Sequence, residues 1–134
     1  MKPSPPTERQ VQRSILQMLG IAFPDVLVWH VPNGAYLGEN EVDRRRTMGM
    51  LLGDGLKPGA PDLALYWNHG HALIEVKRPG YSPSEVSPKQ REIHDRLAEM
   101  GFTVEIVTSP EEAFAILKER GAPGRVREWG RVAA

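Results

Sequence analysis

The sequence has no cysteine, which excludes a disulfide framework and cysteine-based zinc ribbons. It has no apolar run near the roughly 20 residues that span a bilayer. Its first residues, MKPSPPTERQ, lack the apolar core of a signal peptide. These three absences predict a cytosolic protein with no membrane segment.

An excess of charge of either sign is also absent, because 17 Lys and Arg balance 17 Asp and Glu. Total charge therefore does not announce a nucleic-acid-binding module, although its distribution can still matter. Arg44, Arg45 and Arg46 are consecutive, and residues 77–91 hold four basic residues against Glu85 alone. The basic residues thus form local clusters in a neutral chain.

The apolar pattern predicts an α/β fold. Capping and periodicity indicate helices at about 7–20, 41–52, 88–100 and 110–120, and strands at 26–31, 62–67, 71–77 and 102–107. The order helix, strand, helix, strand, strand, helix, strand, helix favours a central mixed β-sheet flanked by helices. A chain of 134 residues suits one domain. We expect it to span 1–134, with a core at about 7–121 and a less ordered tail at 122–134.

The stretch LIEVKRP at residues 73–79 places two charges in a strand that looks buried. Side chains alternate along a strand, so Glu75 and Lys77 share a face. Burying such charges costs several kcal/mol unless they are paired or hold a metal. A tight turn at Asn68-His69-Gly70 predicts a hairpin, which brings Asp62 to the same end as Glu75 and Lys77. The three side chains can therefore converge.

This convergence predicts a metal site. Two carboxylates offer the oxygen ligands that Mg²⁺ prefers, and the Val76 carbonyl can add another. Lys77 can orient a water or stabilise an anionic transition state. Glu8 and Gln90 each extend the apolar face of a predicted helix, so we expect both to point inward.

Simpler interpretations stay open for these residues. Glu75 and Lys77 can form an exposed pair of little energetic value. Glu8 can simply favour a helix N-terminus, and Gln90 can satisfy the backbone of its first helical turn. Other residues also have purely structural interpretations. Among the histidines, His30 can lie at the edge of the core, His69 and His71 at a solvated hairpin tip, and His94 in the core or an interface. Trp29 and Trp67 can belong to the core, and a mobile loop can contain Gly53, Gly55 and Gly59.

Four strings in order, HVPNG at 30–34, GAPDLAL at 59–65, IEVK at 74–77 and SPKQ at 87–90, carry a family resemblance. Over roughly residues 7–115 the chain resembles the VRR-NUC branch of the PD-(D/E)XK nucleases. The resemblance implies a restriction-endonuclease-like core. It maps Pro61-Asp62, Glu75, Val76 and Lys77 onto the family's metal and catalytic motif. It also maps Glu8 onto the acidic residue of the first helix and Gln90 onto the helical glutamine.

The resemblance implies a DNA endonuclease that depends on Mg²⁺ or Mn²⁺. Small stand-alone members resemble Holliday junction resolvases that act as homodimers, so we expect branched DNA, a four-way junction, as substrate. The implied catalytic residues are Lys77, Glu75, Asp62, Gln90 and Glu8, and the implied metal ligands are Asp62, Glu75, Val76 and Glu8. We expect DNA contacts from Arg44, Arg45, Arg46, His30, Asn33 and Lys89. This activity suits the cytoplasm of a bacterial or phage-infected cell.

Other functions stay open on the sequence. The same site can cut flaps, nicks or single strands, and the fold can serve as a non-catalytic DNA-binding module. A structural interaction protein is a third reading, which predicts no salt-dependent affinity for DNA. If two chains pair, apolar residues of the 41–52 helix are the surface we expect to meet, namely Met48, Met50, Leu51 and Leu52.

Overall fold

The computed structural model describes residues 2–32 and 37–133. The helices are α1 (Glu8–Ala22), α2 (Glu41–Gly53), α3 (Pro88–Glu99), α4 (Pro110–Glu119) and α5 (Trp129–Ala133). The strands are β1 (Leu27–His30), β2 (Leu63–Trp67), β3 (Gly70–Val76) and β4 (Val104–Val107), and a single 3₁₀ turn covers Pro83–Glu85. The mixed four-stranded sheet flanked by helices confirms the predicted α/β class and is consistent with a restriction-endonuclease-like core.

The first helix begins where the sequence predicts but ends later. Thr7 and Gln10 form a reciprocal capping box at its N-terminus. Gly20 does not end the helix, which continues to Ala22 and is capped by Phe23. Ala22 and Phe23 are both almost fully buried, so packing of the last turn outweighs the weak helix propensity of glycine.

The strands lie in the order β1-β2-β3-β4, with β4 parallel to β3 and the other pairs antiparallel. A two-residue turn at Asn68-His69 closes the β2–β3 hairpin, as the sequence predicts, and His69 takes a positive φ of 69°. The register pairs Leu63 with Ile74, which places Asp62 opposite Glu75 at the open end of the hairpin. Strand geometry therefore brings the two carboxylates together.

The hydrophobic core lies between the sheet and helices α1 and α4. Alternate strand residues point into it, and its fully buried members include Ile15, Leu63, Leu65, Ile74 and Leu117. Because side chains alternate, Glu75 stands on the opposite face of β3 from Ile74 and Val76. The charged motif thus belongs to the face that α1 and α4 do not cover.

The segment after α4 packs more closely than the low periodicity of its sequence indicates. The ring of Trp129 meets that of Phe114 edge to face at a centroid distance of 5.8 Å. Val126 and Val132 also pack against the core. The tail that we expect to be less ordered is therefore tied to the core by three apolar side chains.

By contrast, α2 buries none of its residues. Met50 is 62% exposed and Leu52 is 46% exposed, although apolar residues of this size usually find cover. In the described ranges, no helix has both the length and the apolar character that crossing a membrane requires.

Candidate functional site

The site begins with the two carboxylates that the hairpin register places opposite each other. Asp62 directly precedes β2, and its Oδ2 accepts a hydrogen bond of 2.8 Å from the Val76 backbone N–H. The Asp62 side chain is in hydrogen-bonding contact with that of Glu75, which is only 1% exposed. The predicted convergence of Asp62 with Glu75 is therefore present.

Gln90 connects Glu75 to the lysine of the motif. It stands in the first turn of α3, where Ser87 caps the helix. Its Nε2 donates to Glu75 Oε1 at 2.7 Å, and its Oε1 accepts from Lys77 Nζ at 3.1 Å and from the Ser87 backbone N–H at 2.9 Å. Both interpretations of Gln90 are therefore correct, since its side chain points inward to Glu75 and also caps the backbone of the first helical turn.

Lys77 is buried, being only 4% exposed, directly after the end of β3. Its Nζ donates to the Glu85 carbonyl at 2.8 Å as well as to Gln90. The reading of Glu75 and Lys77 as an exposed surface pair is therefore wrong. The buried ammonium is retained because oxygen atoms surround it.

Glu8 lies at the rim of this cluster rather than inside it. Its side chain is 50% exposed, so the expected inward orientation is only partly correct. Its Oε1 nevertheless approaches Lys77 Nζ to 3.9 Å. Glu8 is also the acidic residue of the first turn of α1, where its negative charge interacts favourably with the helix dipole.

Burial sets the electrostatics of the site. Loss of water contact, together with the charge and hydrogen bond of Asp62, raises the pKa of Glu75 to about 9, although Lys77 opposes this effect. Without a further positive charge, Glu75 therefore holds a proton at neutral pH. A divalent cation beside Glu75 would supply the charge that favours its ionised form.

The residues present fit such an ion. In the described part of the chain, no three His, Asp or Glu side chains form a metal-binding group by themselves. Two carboxylates with a backbone carbonyl and waters are instead the kind of set that Mg²⁺ uses, since it keeps several waters. Glu75 Oε2 is buried without a hydrogen-bond partner among the described residues, so it has a lone pair to offer.

A comparison with protein families agrees with this geometry. The model of the VRR-NUC domain matches residues 43–111, which is more than half of the chain and contains Asp62, Glu75, Lys77 and Gln90. The chain belongs to the VRR-NUC family. Membership confirms the sequence resemblance, places the chain among nucleases and implies DNA as substrate. Comparisons with curated proteins and with solved structures gave no match.

The other predicted VRR-NUC site residues lie apart from the cluster. Arg44, Arg45 and Arg46 are exposed on α2, His30 is exposed at the end of β1, and Lys89 is exposed on α3. In the described ranges, no hydrogen bond or ion pair joins them to Glu75, Lys77 or Gln90. Arg45 instead pairs with Glu41 at 2.6 Å, and Asn33 lies outside the described residues.

Two residues near the site have a place that sequence reasoning missed. Gly59, read as part of a mobile loop, has a φ of 86°, and a Cβ there would lie 2.6 Å from the Lys89 carbonyl carbon. The loop therefore packs against the first turn of α3. His94, four residues after Gln90, approaches Glu75 Oε2 with its Nε2 at 3.7 Å. The spacing of four is a signal that pointed to it.

Trp29 is also misplaced by the sequence interpretation. It is 50% exposed rather than buried in the core, and its ring stacks on that of Tyr66 at a centroid distance of 5.1 Å. Trp67 does pack partly against the core, as expected. The difference follows from strand alternation, which places Trp29 on the sheet face away from α1 and α4.

Proposed function

We propose that this VRR-NUC protein is a DNA endonuclease that hydrolyses phosphodiester bonds with Mg²⁺ or Mn²⁺ and prefers four-way junctions. The observation that supports it best is the Gln90 amide, which joins buried Glu75 to buried Lys77 opposite Asp62. Two acidic groups and a lysine held in this way provide a metal site and a water-positioning cation together. A protein without catalysis would gain little from burying them.

Asp62, Glu75 and the Val76 carbonyl would hold the ion. When bound, the ion supplies an acidified water and neutralises charge on the scissile phosphate. Glu8, at the solvent-exposed rim, would bind a second ion or its water shell. Because the Glu8 carboxylate is half-exposed, it suits binding of a second, partly hydrated ion better than direct coordination of the first ion.

Lys77 would position the attacking water. An ammonium has three N–H donors, and in the described structure two of them go to Glu85 and Gln90. The third makes no hydrogen bond there, since Glu8 Oε1 lies 3.9 Å from Nζ, so a water or a phosphate oxygen can accept from it. Gln90 fixes the direction of this ammonium because its own amide is held by Glu75 and Ser87.

The junction substrate and the homodimer rest on the family resemblance and on α2. Symmetric cutting of a four-way junction needs two sites related by a two-fold axis. Exposed Met50 and Leu52 on α2 suit contact with a second copy, and the exposed arginines of the same helix suit phosphates. One helix would then serve both partners.

Cleavage of labelled DNA tests the proposal. Four-way junctions, flaps, nicked duplex and single strands are incubated with Mg²⁺, Mn²⁺ or EDTA, using wild type, Asp62→Asn and the exposed control Asp25→Asn. Asparagine can still accept from the Val76 N–H, so the variant loses charge rather than fold. We expect paired, metal-dependent cuts in the junction that only Asp62→Asn abolishes. Cutting of flaps or single strands would overturn the substrate, and DNA binding without any cutting would favour the non-catalytic module.

A further inference from the structure

Helix α3 presents two side chains, one turn apart, to the same carboxylate. Gln90 Nε2 donates to Glu75 Oε1 at 2.7 Å. His94 Nε2 faces the other oxygen, Glu75 Oε2, at 3.7 Å. Residues four apart on a helix share a face, so this arrangement follows directly from the spacing of Gln90 and His94.

Within the described part of the chain, the geometry leaves both facing atoms without a hydrogen bond, although the Asp62 side chain also contacts the Glu75 carboxyl group. Glu75 Oε2 and His94 Nε2 are both buried, and among the described residues neither makes a hydrogen bond. The side chains are 1% and 15% exposed, so bulk water does not satisfy them either. Buried polar atoms nearly always make a hydrogen bond, and each of these two unsatisfied atoms faces the other as a possible partner.

We propose that His94 is a positioning residue for Glu75, whose Oε2 accepts a hydrogen bond from His94 Nε2–H. The present separation of 3.7 Å exceeds a hydrogen bond, so the two side chains must approach each other for the bond to form. Gln90 and His94 then hold one oxygen each. This inference rests on the proposed function, because the orientation it sets is that of a metal ligand.

Holding both oxygens does not block the metal. Each carboxylate oxygen has two lone pairs, so Oε2 can accept from His94 and still bind an ion. Hydrogen bonds to a ligand from the surrounding shell fix its orientation, and their loss weakens metal affinity about 10- to 100-fold. His94 would therefore act on the ion through Glu75 without touching it.

Calorimetric titration with Mn²⁺ in the absence of DNA tests this role. Wild type is compared with His94→Leu, which removes the donor, and with His94→Gln, which keeps an N–H donor. The matched control His71→Leu makes the same change at another half-buried histidine, whose ring packs against Phe102. Thermal unfolding of each metal-free variant is measured in parallel.

We expect His94→Leu to bind Mn²⁺ about tenfold more weakly with an unchanged unfolding midpoint. His94→Gln should regain most of the affinity, and His71→Leu should bind like wild type. Wild-type affinity in His94→Leu would overturn the proposal, as would a loss that tracks a lower unfolding midpoint and is not rescued by glutamine. Complete loss of binding in both His94 variants would make His94 a direct ligand and also overturn it. A wild type that binds no Mn²⁺ would overturn the proposed function and this inference with it.

Discussion

Gln90 accepts a hydrogen bond from Lys77 Nζ at 3.1 Å through the same amide that donates to Glu75 Oε1 at 2.7 Å. One amide therefore bridges the carboxyl group of Glu75 and the ammonium of Lys77. The amide oxygen also accepts a hydrogen bond from the Ser87 backbone N–H, so the orientation of the Gln90 amide is fixed. The positions of Glu75 and Lys77 therefore depend on the first turn of α3.

Replacing Lys77 tests its role in catalysis, with stability measured in parallel. Lys77→Met keeps the volume of the side chain and removes the ammonium that would position the water. We expect the cleavage rate to fall roughly 10²- to 10³-fold. The free energy of unfolding should fall by about 1–3 kcal/mol, because the Gln90 and Glu85 oxygens lose their buried donor. Single-turnover cleavage and thermal unfolding measure the two effects. Lys118→Met, at an exposed lysine of α4, is the control, and full activity in Lys77→Met would refute the role.

The raised pKa of Glu75 predicts a pH dependence. With a pKa of about 9 against a usual value of 4.5, folded metal-free protein keeps a proton that the unfolded chain has released. Its contribution to stability is therefore complete below pH 4.5 and is lost as pH rises towards about 9. Glu75→Gln should remove this dependence, which denaturant titrations across the pH range can check.

Binding of a metal must displace the same proton. We therefore expect Mg²⁺ affinity to rise about tenfold per pH unit below the pKa of Glu75. Calorimetry at pH 7 in two buffers of different ionisation enthalpy should show close to one proton released per ion. If binding releases no proton, Glu75 is already ionised in the metal-free protein and this prediction is wrong.

The hairpin and its register could be predicted because local rules determine them. The turn at Asn68-His69 and the alternation of the strands place Asp62 opposite Glu75 before any tertiary contact is known. The place of Lys77 in the site could be predicted from its position in the motif, and that of Gln90 from its position on the helix. Residues 43–111, which match the family, hold all of these side chains.

Features that depend on contacts between distant elements could not be predicted in this way. Helical periodicity gives the face on which Glu8 lies, but not its distance from the sheet, so its half-exposure was missed. The end of α1 depends on burial of Phe23, which outweighs the local signal of Gly20. The partner of His94 lies on another element, and sequence spacing alone does not identify it.

Gly59 provides a test of how the glycine-rich loop supports the site. A Cβ there would lie 2.9 Å from the Gln90 backbone N, in addition to adopting a positive φ. Gly55 also has a positive φ but has open space around it, so Gly55→Ala is a matched control for backbone strain alone. We expect Gly59→Ala to cost about 1–3 kcal/mol or more and to lower cleavage, since it displaces Gln90. Equal unfolding free energies and activities for the two variants would contradict this.

The arginines of α2 should contribute affinity rather than chemistry. Replacing Arg44, Arg45 and Arg46 by alanine should weaken DNA binding and reduce the dependence of log K on log salt by up to about 0.9 per lost phosphate contact. The single-turnover rate at saturating DNA should stay unchanged. Alanine at Arg125, Arg127 and Arg131, three exposed arginines of the C-terminal segment, removes the same charge as a control. Binding isotherms at several salt concentrations measure the slope, and equal slopes for both triple variants would exclude α2 as the DNA contact.

Met50 tests whether α2 is the dimer surface. Met50→Glu replaces an exposed apolar side chain by a charge at a position that a second copy would bury, so we expect the mass measured by light scattering to fall to that of one chain. Met100 is equally exposed, at 62%, but follows α3, so Met100→Glu makes the same change away from α2. A monomer for Met50→Glu and a dimer for Met100→Glu would locate the interface on α2.

Because paired junction cuts need two linked sites, Met50→Glu should then convert them to single, uncoupled cuts. An unchanged mass for Met50→Glu would move the interface elsewhere, and a monomeric wild type would remove the dimer from the proposed function.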